Sequence, residues 1–277
     1  MIDAKNLVYS YDDGTNALKG IDFKISKGNM VALIGRNGAG KSTLLLHLNG
    51  ILKPDKGEIF IDKEKLKYDK KSLIKFRQKV GIVFQNPDDQ IFAPTVEEDV
   101  AFGPLNLKLS QEETQHRVTE ALERVGMSGF EKKAPHYLSG GQKKRVAIAG
   151  ILAMKPEMII LDEPTAGLDP AGVNKIMNLL KELNNEGITI LVSTHDVDLV
   201  AEFANDIYVM NNGEIIGNGT PKEIFNDERL IEKAHLRLPL MAELFKKLED
   251  SGKVKDISKH YPLTVKEAYE KITEILK

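Results

Sequence analysis

The sequence predicts an α/β fold built on a mainly parallel sheet, and two patterns carry this prediction. Short apolar runs bounded by glycine or polar residues indicate strands buried on both faces; these are "NMVALIG" (29–35), "KVGIVFQ" (79–85), "EMIILDEP" (157–164) and "GITILVSTH" (187–195). Helical patterns separate the runs, for example "SQEETQHRVTEALERVG", which begins with the capping box Ser110-x-x-Glu113. Strands that alternate with helices are typical of parallel sheets.

The pattern changes twice along the chain. Residues 86–156 carry helix signals rather than strand signals, which predicts a helical insertion within a main domain of residues 1–220. A hairpin is expected at the Asn-Gly pair of "NNGEIIGNGTP". Residues 221–277 predict a small helical appendage, with Leu240, Leu244 and Leu248 on one helix face and a last helix that opens with Thr264-x-x-Glu267. This appendage either packs on the main domain or forms a contact in a dimer, and the sequence does not decide between the two.

Composition excludes several classes of function. The chain of 277 residues has 39 basic and 41 acidic residues, a net charge of −2, so no global field attracts nucleic acid or anionic lipid. It has no cysteine, which excludes disulfides, thiolate metal sites and cysteine nucleophiles. The acidic first residues lack the apolar segment of a signal peptide, and no apolar run approaches the roughly 20 residues that span a bilayer. Work at a membrane therefore needs other chains to supply the span.

The stretch "GRNGAGKS" at 35–42 predicts a phosphate cradle, because it matches G-x-x-x-x-G-K-[ST] between an apolar strand and a helix. Glycines let backbone N–H groups point at phosphate oxygens, and the positive end of the following helix favours the same anion. Lys41 adds a charge toward the terminal phosphates, and Ser42 offers a hydroxyl to Mg²⁺. The expected ATP-binding set here is Gly35, Arg36, Asn37, Gly38, Ala39, Gly40, Lys41, Ser42 and Thr43. The alternative is a glycine-rich turn with an exposed lysine.

Acidic residues and a histidine follow two further strands of the predicted sheet. Asp162 and Glu163 end "MIILDE", at the sheet edge where open α/β folds bind ligands. Asp162 is suited to hold Mg²⁺, and Glu163 to act as general base on the attacking water. His195 follows the neighbouring run and can reach the γ-phosphate. The remaining histidines form no pair with metal-ligand spacing and are interpreted as structural; they are His47, His116, His136, His235 and His260.

A second anion site is predicted in "YLSGGQKKRVAIAGILA", where Ser139 and two glycines open a helix. One nucleotide needs one cradle, so a second phosphate site makes sense if it faces a nucleotide held by another copy. The basic run "KKR" at 143–145 is interpreted as a solvated helix face, since no wider basic patch supports nucleic-acid binding. By itself "PDDQIF" at 87–92 indicates only a polar turn.

With "LSGGQ" at 138–142, the cradle and "LDEP", residues 1–220 resemble ABC-type ATPases, with every expected motif in order. The resemblance implies that Tyr11 stacks on adenine and that Gln85 senses the γ-phosphate and Mg²⁺ and contacts the membrane part of a transporter. It also implies that Asp169 bridges two subunits that pair head to tail. ATP is then held between one cradle and the other subunit's signature motif, here Ser139, Gly140, Gly141 and Gln142. Mg²⁺ is expected at Ser42, Gln85 and Asp162.

A finer resemblance lies after Gln85. "FQNPDDQIFAPTVEEDVAFGPLN" is similar to importers of the energy-coupling factor type for cobalt, nickel or vitamins, and "AIAGILAMKPEMIILDEPTAGLDP" is most similar to the cobalt type. This implies a peripheral subunit at the cytoplasmic membrane face. Its expected partners are a second ATPase subunit, a transmembrane coupling protein near Asp88 to Phe92 and a substrate-capture membrane protein, and no nucleic acid. A soluble ABC ATPase acting on nucleic acid or ribosomes, or a regulatory subunit without turnover, is the alternative.

Overall fold

The computed structural model describes residues 1–253 and 261–276. Its strands are β1 (Ile2–Ser10), β2 (Asn16–Ile25), β3 (Met30–Ile34), β4 (Lys56–Ile61), β5 (Glu64–Lys65), β6 (Val80–Val83), β7 (Met158–Asp162), β8 (Thr189–Thr194), β9 (Asp206–Asn211) and β10 (Glu214–Gly219). Its α-helices are α1 (Lys41–Leu48), α2 (Lys70–Lys79), α3 (Val96–Asn106), α4 (Gln111–Arg124), α5 (Gly140–Leu152), α6 (Pro170–Asn185), α7 (Val197–Phe203), α8 (Pro221–Asn226), α9 (Glu228–Ala234), α10 (Leu240–Asp250) and α11 (Val265–Ile275). Pro87–Asp89 and Pro135–Tyr137 form single 3₁₀ turns.

The strands form two sheets. The larger has the order β10-β9-β3-β8-β7-β6, and all of its strands are parallel except β10, which pairs antiparallel with β9. The four apolar runs of the sequence supply β3, β6, β7 and β8, which are buried along their whole length. The smaller sheet is antiparallel, in the order β2-β1-β4-β5, and the sequence patterns did not predict it.

The parallel sheet is the middle layer of the molecule. Val31 and Leu33 point from β3 into a buried cluster shared with the antiparallel sheet and α1. The alternate residues Ala32 and Ile34 belong to a second cluster on the opposite face, shared with α3 to α7. This alternation is the two-residue period of a strand buried on both faces. Because β3, β8 and β7 are adjacent and parallel, their carboxyl ends lie side by side. This brings the segments after them together.

Between β6 and β7 the chain forms α3, α4 and α5 and no strand. Ser110 caps α4 as predicted, but the capping box is incomplete, because Glu113 pairs with Arg117 at 2.6 Å instead of reaching back to the Ser110 N–H. After β10, helices α8 to α11 form the appendage, and Phe245 of α10 is fully buried in the cluster that includes the helices of the main domain. Within residues 1–253 and 261–276, no helix is both long enough and apolar enough to cross a membrane.

Candidate active site

The candidate active site is a cavity of 840 Å³ at the carboxyl edge of the parallel sheet. It is lined by the predicted residues Tyr11, Asn37, Gly38, Gly40, Lys41, Ser42, Thr43, Gln85, Asp162, Glu163 and His195. The loop between β3 and α1 forms its floor. Gly40 has a φ of 101°, and a Cβ there would lie 2.7 Å from the carbonyl oxygen of Ala17, so this turn requires glycine. The size suits a nucleotide.

Lys41 lies inside the loop rather than in solvent, with a relative exposure of 6%. Its ammonium donates to the carbonyl oxygens of Gly35 at 2.7 Å and Arg36 at 3.2 Å. Burial lowers the pKa of Lys41, and the charges of Glu163 and Asp162 oppose that shift. The alternative of an exposed lysine on a simple turn is therefore wrong.

Asp162, Glu163 and His195 meet at the ends of two adjacent strands. Both carboxylates are buried, at 9% and 8% exposure. Asp162 accepts a hydrogen bond from the Ser193 hydroxyl, and a Glu163 carboxylate oxygen lies 3.1 Å from Nδ1 of His195. The His195 side chain lines the cavity and is 62% exposed. Glu163 also has a φ of 44°, a left-handed conformation that costs a residue other than glycine roughly 1–3 kcal/mol.

The cavity includes residues that the sequence patterns missed: Thr15, Asn16, Ala17, Lys19, Ala166, Asn212 and Gly213. Asn212 and Gly213 form the predicted β9–β10 turn, with φ values of 48° and 81°. The Gly213 N–H donates to the carbonyl oxygen of Ala39, which ties this turn to the cradle. Tyr11 also lines the cavity, and its hydroxyl lies 2.9 Å from Oγ1 of Thr43. No signal in a single sequence marks the residues of β2 that line the cavity.

The predicted second anion site does not line this cavity. Ser139 caps α5 in a complete capping box, accepting from the Gln142 N–H at 3.3 Å while Gln142 Oε1 accepts from the Ser139 N–H at 2.9 Å. Ser139 and Gly140 are exposed. Asp169 is also outside the cavity and caps α6 through the Gly172 N–H at 2.8 Å. One chain therefore presents a nucleotide cavity and a separate, exposed signature helix.

The interpretation of "KKR" as a solvated helix face is wrong. Lys143 donates to Oδ1 of Asp88 at 2.6 Å, and its side chain is 18% exposed. Lys144 is buried at 6% exposure. Arg145 donates to the carbonyl oxygens of Val125 and Gly126 at 3.0 and 2.8 Å. Each basic side chain of this run therefore binds another segment of the same chain.

The donor set fits Mg²⁺. Ser42, Gln85 and Asp162 offer oxygen atoms to one cavity. Among the described residues, no group of three or more His, Cys, Asp or Glu side chains could hold a metal alone. Such a sparse set is what Mg²⁺ uses when phosphate oxygens and water complete its shell. His47, by contrast, is buried in the core, His116, His136 and His235 are exposed, and His260 lies outside the described residues.

A second cavity of 440 Å³ opens beside α2, and we call it the Phe92 cleft. Its walls come from α2, the segment after Gln85, α3 and α5, with Ile74, Phe92, Phe102 and Met154 among its apolar lining. Phe92 and Phe102 are 67% and 50% exposed, and their rings meet edge to face with centroids 4.8 Å apart. Two large exposed aromatic rings at one cleft are typical of an interaction surface.

Comparisons with known proteins agree with this geometry. The family model "ABC transporter" matches residues 18–166, and a shorter match to an AAA domain covers residues 133–201. An "Energy-coupling factor transporter ATP-binding protein EcfA" of Methanosphaera stadtmanae is 61% identical over 98% of this chain and 97% of its own length. The EcfA of Methanocaldococcus jannaschii is 60% identical over 100% and 98%.

Two solved structures extend the comparison. The structure of cbiO1 from Clostridium perfringens, part of the ABC transporter complex cbiONQ, has a TM-score of 0.75 at 49% identity and covers 88% of this chain and 98% of that one. The dimeric, post-hydrolysis cassette MJ0796 bound to ADP and Pi has a TM-score of 0.73 at 37% identity, over 80% and 99%. The predicted α/β nucleotide-binding fold is thereby confirmed.

Proposed function

Because the chain belongs to the ABC transporter family of ATPases, we propose that it is the motor subunit of an energy-coupling factor importer for cobalt or nickel ions. The observation that carries the motor role is the separation of two phosphate-binding elements on one chain, and the cargo rests on the resemblance of "AIAGILAMKPEMIILDEPTAGLDP" to the cobalt type. The cradle lines the nucleotide cavity, whereas the exposed N-terminus of α5 does not. A second subunit, identical or homologous, then completes each site.

In this arrangement the cradle of one subunit and Ser139 to Gln142 of the other enclose ATP. The contacts from the second subunit exist only in the closed dimer. ATP can therefore shift the equilibrium between open and closed dimers through them, and hydrolysis reverses the shift. The Asp169 segment lies beside the signature helix, since Leu168 packs 3.4 Å from the position of a Cβ at Gly141. We infer that it joins the subunit contact.

Hydrolysis uses groups that the chain already holds together. Lys41 withdraws from its loop carbonyls to bind terminal phosphate oxygens. Glu163 accepts a proton from the attacking water, and His195, at 3.1 Å from that carboxylate, contacts the γ-phosphate side. Mg²⁺, when bound, neutralises charge on the phosphates. Gln85 leads from this cavity directly into the segment that lines the Phe92 cleft.

We assign the Phe92 cleft to the transmembrane coupling protein. Its apolar lining and exposed aromatic pair suit a helix of a partner that approaches between α2 and α3. Asp99 anchors the segment that carries Phe92, accepting from the N–H groups of Phe92 and Ala93 at 3.0 and 3.1 Å. Movement of a partner helix in the cleft is therefore transmitted to Gln85 and the nucleotide.

The appendage is assigned to contact between the two ATPase subunits. Helix α11 leaves an apolar stripe exposed at one helical face, which we call the α11 stripe: Val265, Tyr269, Ile272 and Leu276. Their exposures are 70%, 72%, 41% and 81%, far from the usual burial of such side chains. On α10, Leu240 and Leu244 are also exposed, at 57% and 44%. A second subunit can cover this surface.

The experiment that tests the function is purification of the tagged chain from membranes of its own source, followed by reconstitution of the complex in proteoliposomes. ATP-driven uptake of radioactive cobalt or nickel, absent in the Glu163→Gln complex, supports the proposal. Uptake of a vitamin instead keeps the motor role and changes the cargo. Co-purification with nucleic acid or ribosomes, without integral membrane proteins, contradicts the proposal.

A further inference from the structure

The middle lysine of the "KKR" run is buried against the segment that follows β7. Lys144 lies in the first turn and a half of α5, two residues after the signature motif, and is 6% exposed. Its ammonium donates to the carbonyl oxygen of Ala166 at 2.6 Å and to that of Glu163 at 3.4 Å. Lys144 thus reaches from the signature helix to the segment that carries the candidate general base.

These two carbonyl groups belong to the first and last residues of one tight turn. The Ala166 N–H donates to the Glu163 carbonyl oxygen at 3.2 Å and closes the turn. On its strand side, the Glu163 N–H is held by the carbonyl and hydroxyl oxygens of Ser193, each at 3.1 Å. Glu163 keeps its left-handed φ of 44° between these contacts. Strained backbone of this kind persists where the surroundings hold it from several sides.

The hydrogen bonds of the Lys144 ammonium offset the cost of burying its charge. A buried charge is costly unless its donors are used. Burial lowers the pKa of Lys144, and the Glu163 charge opposes that shift. Two carbonyl oxygens of a single turn take up its described hydrogen bonds. An apolar side chain of the same length would fill the space without holding the turn.

We propose that Lys144 is a positioning residue for ATP hydrolysis, which fixes the turn from Glu163 to Ala166 against the signature helix. By holding both carbonyl groups it keeps the Glu163 carboxylate aimed into the nucleotide cavity. It also sets where the chain leaves the turn toward Leu168 and Asp169. Movement of the signature helix on nucleotide binding therefore moves the base of the same subunit. The proposal rests on the assignment of Glu163 as general base.

The test is steady-state ATPase kinetics of Lys144→Met in the full chain, with Lys155→Met as the matched control. Lys144 does not line the cavity, so we expect KM for ATP to stay within about twofold. The rate constant kcat should fall by about 10²-fold, as for other misplaced catalytic groups. Lys155 pairs with Glu120 at 3.6 Å and both side chains are exposed, so its variant should keep kcat within about threefold, the effect of a surface ion pair.

Chemical rescue separates positioning from a general loss of structure. The chain has no cysteine, so Lys144→Cys offers a single thiol. Alkylation of the unfolded variant with 2-bromoethylamine, followed by refolding, rebuilds an ammonium at nearly the original reach, whereas iodoacetamide adds a neutral amide. We expect the aminoethylated protein to recover kcat and the carbamidomethylated protein to remain impaired. Equal activity of the two adducts overturns the proposal.

Measurement of Glu163→Gln in parallel distinguishes failure of the base assignment from failure of the positioning role alone. If that variant turns over normally, the base assignment fails and the positioning role falls with it. If it is inactive while Lys144→Met keeps the kcat of the unchanged protein, only the positioning role is overturned. A parallel loss of kcat, with KM retained and aminoethyl rescue, supports the proposal.

Discussion

Replacement of Glu163 by glutamine removes one carboxylate charge from the candidate active site and little else. Gln has the same shape, and its amide can still hydrogen-bond Nδ1 of His195, which lies 3.1 Å from the carboxylate in the unchanged protein. The N–H of residue 163 keeps its bonds to Ser193. The fold should therefore persist, with a thermal midpoint within about 2–4 °C of the original, the shift that 1 kcal/mol produces at this size.

The expected loss of turnover follows from the proposed role of Glu163 as general base. A positioned general base contributes roughly 10²- to 10⁴-fold, which corresponds to about 2.7–5.4 kcal/mol of activation free energy. The buried carboxylate also opposes the lowering of the Lys41 pKa by burial. Its removal should lower that pKa further. Binding of ATP should nevertheless persist, because the cradle N–H groups and the lysine are unchanged, and an ATP-bound dimer should accumulate.

Phosphate release under saturating ATP measures the rate, and light scattering after gel filtration measures the dimer. Glu157→Gln is the matched control, since Glu157 precedes the other end of β7 and pairs with Lys27 at 2.9 Å on the surface. We expect this control to hydrolyse ATP normally. A Glu163→Gln protein that stays monomeric with ATP and keeps more than about a tenth of the turnover contradicts the assignment of Glu163 as general base, since a general base accounts for more than that.

Three further outcomes are expected. Burial lowers the pKa of His47, so the unfolded chain binds a proton at a higher pH than the folded chain does. The free energy of unfolding should therefore fall as the pH falls below about 6.5 toward the folded-state pKa. Urea titrations at several pH values measure this fall, which should be smaller in His47→Leu. Tyr11→Ala should weaken ATP binding about 5- to 150-fold in a fluorescence titration, the value of one base stack, whereas Tyr11→Phe, which loses only the 2.9 Å contact to Thr43, should bind nearly normally. Tyr269→Glu in the α11 stripe should weaken self-association without nucleotide in sedimentation runs, and unchanged association contradicts the assignment of this stripe.

The sequence patterns predict the strands of one sheet and miss those of the other. Strands β3, β6, β7 and β8 of the larger sheet are buried on both faces, so each is a plain apolar run. Strand β1 of the antiparallel sheet has register shifts on both of its edges. Asn6 within it has a φ of 48°, and such irregularities break the alternation that marks a half-buried strand. With β1 and β2 missed, the residues of this sheet that line the cavity were missed as well.

The interpretation of the basic run fails for a different physical reason. Exposure of a helix face depends on which other segments pass over it. Lys144 is covered by a turn 19 to 22 residues further along the chain, and Arg145 by the end of α4, 19 to 20 residues earlier. Periodicity within α5 carries no information about either segment. The cradle, by contrast, is local in sequence, so its residues could be named at once.

We propose that each hydrolytic site is shared between two chains, and mixing two inactive variants tests this arrangement. Glu163→Gln removes the proposed base, and Gly141→Asp places a carboxylate at the signature helix N-terminus, where it favours the helix and repels phosphate. A Cβ at Gly141 meets only Leu168, at 3.4 Å, so this variant should fold.

Each variant alone should be inactive, and an equimolar mixture should recover up to about a quarter of the turnover of the unchanged protein. Random pairing makes about half of the dimers mixed, each with one complete site of two, and accumulation of ATP-bound Glu163→Gln dimers lowers that fraction. A mixture as inactive as its separate components contradicts a site shared between two copies of this chain.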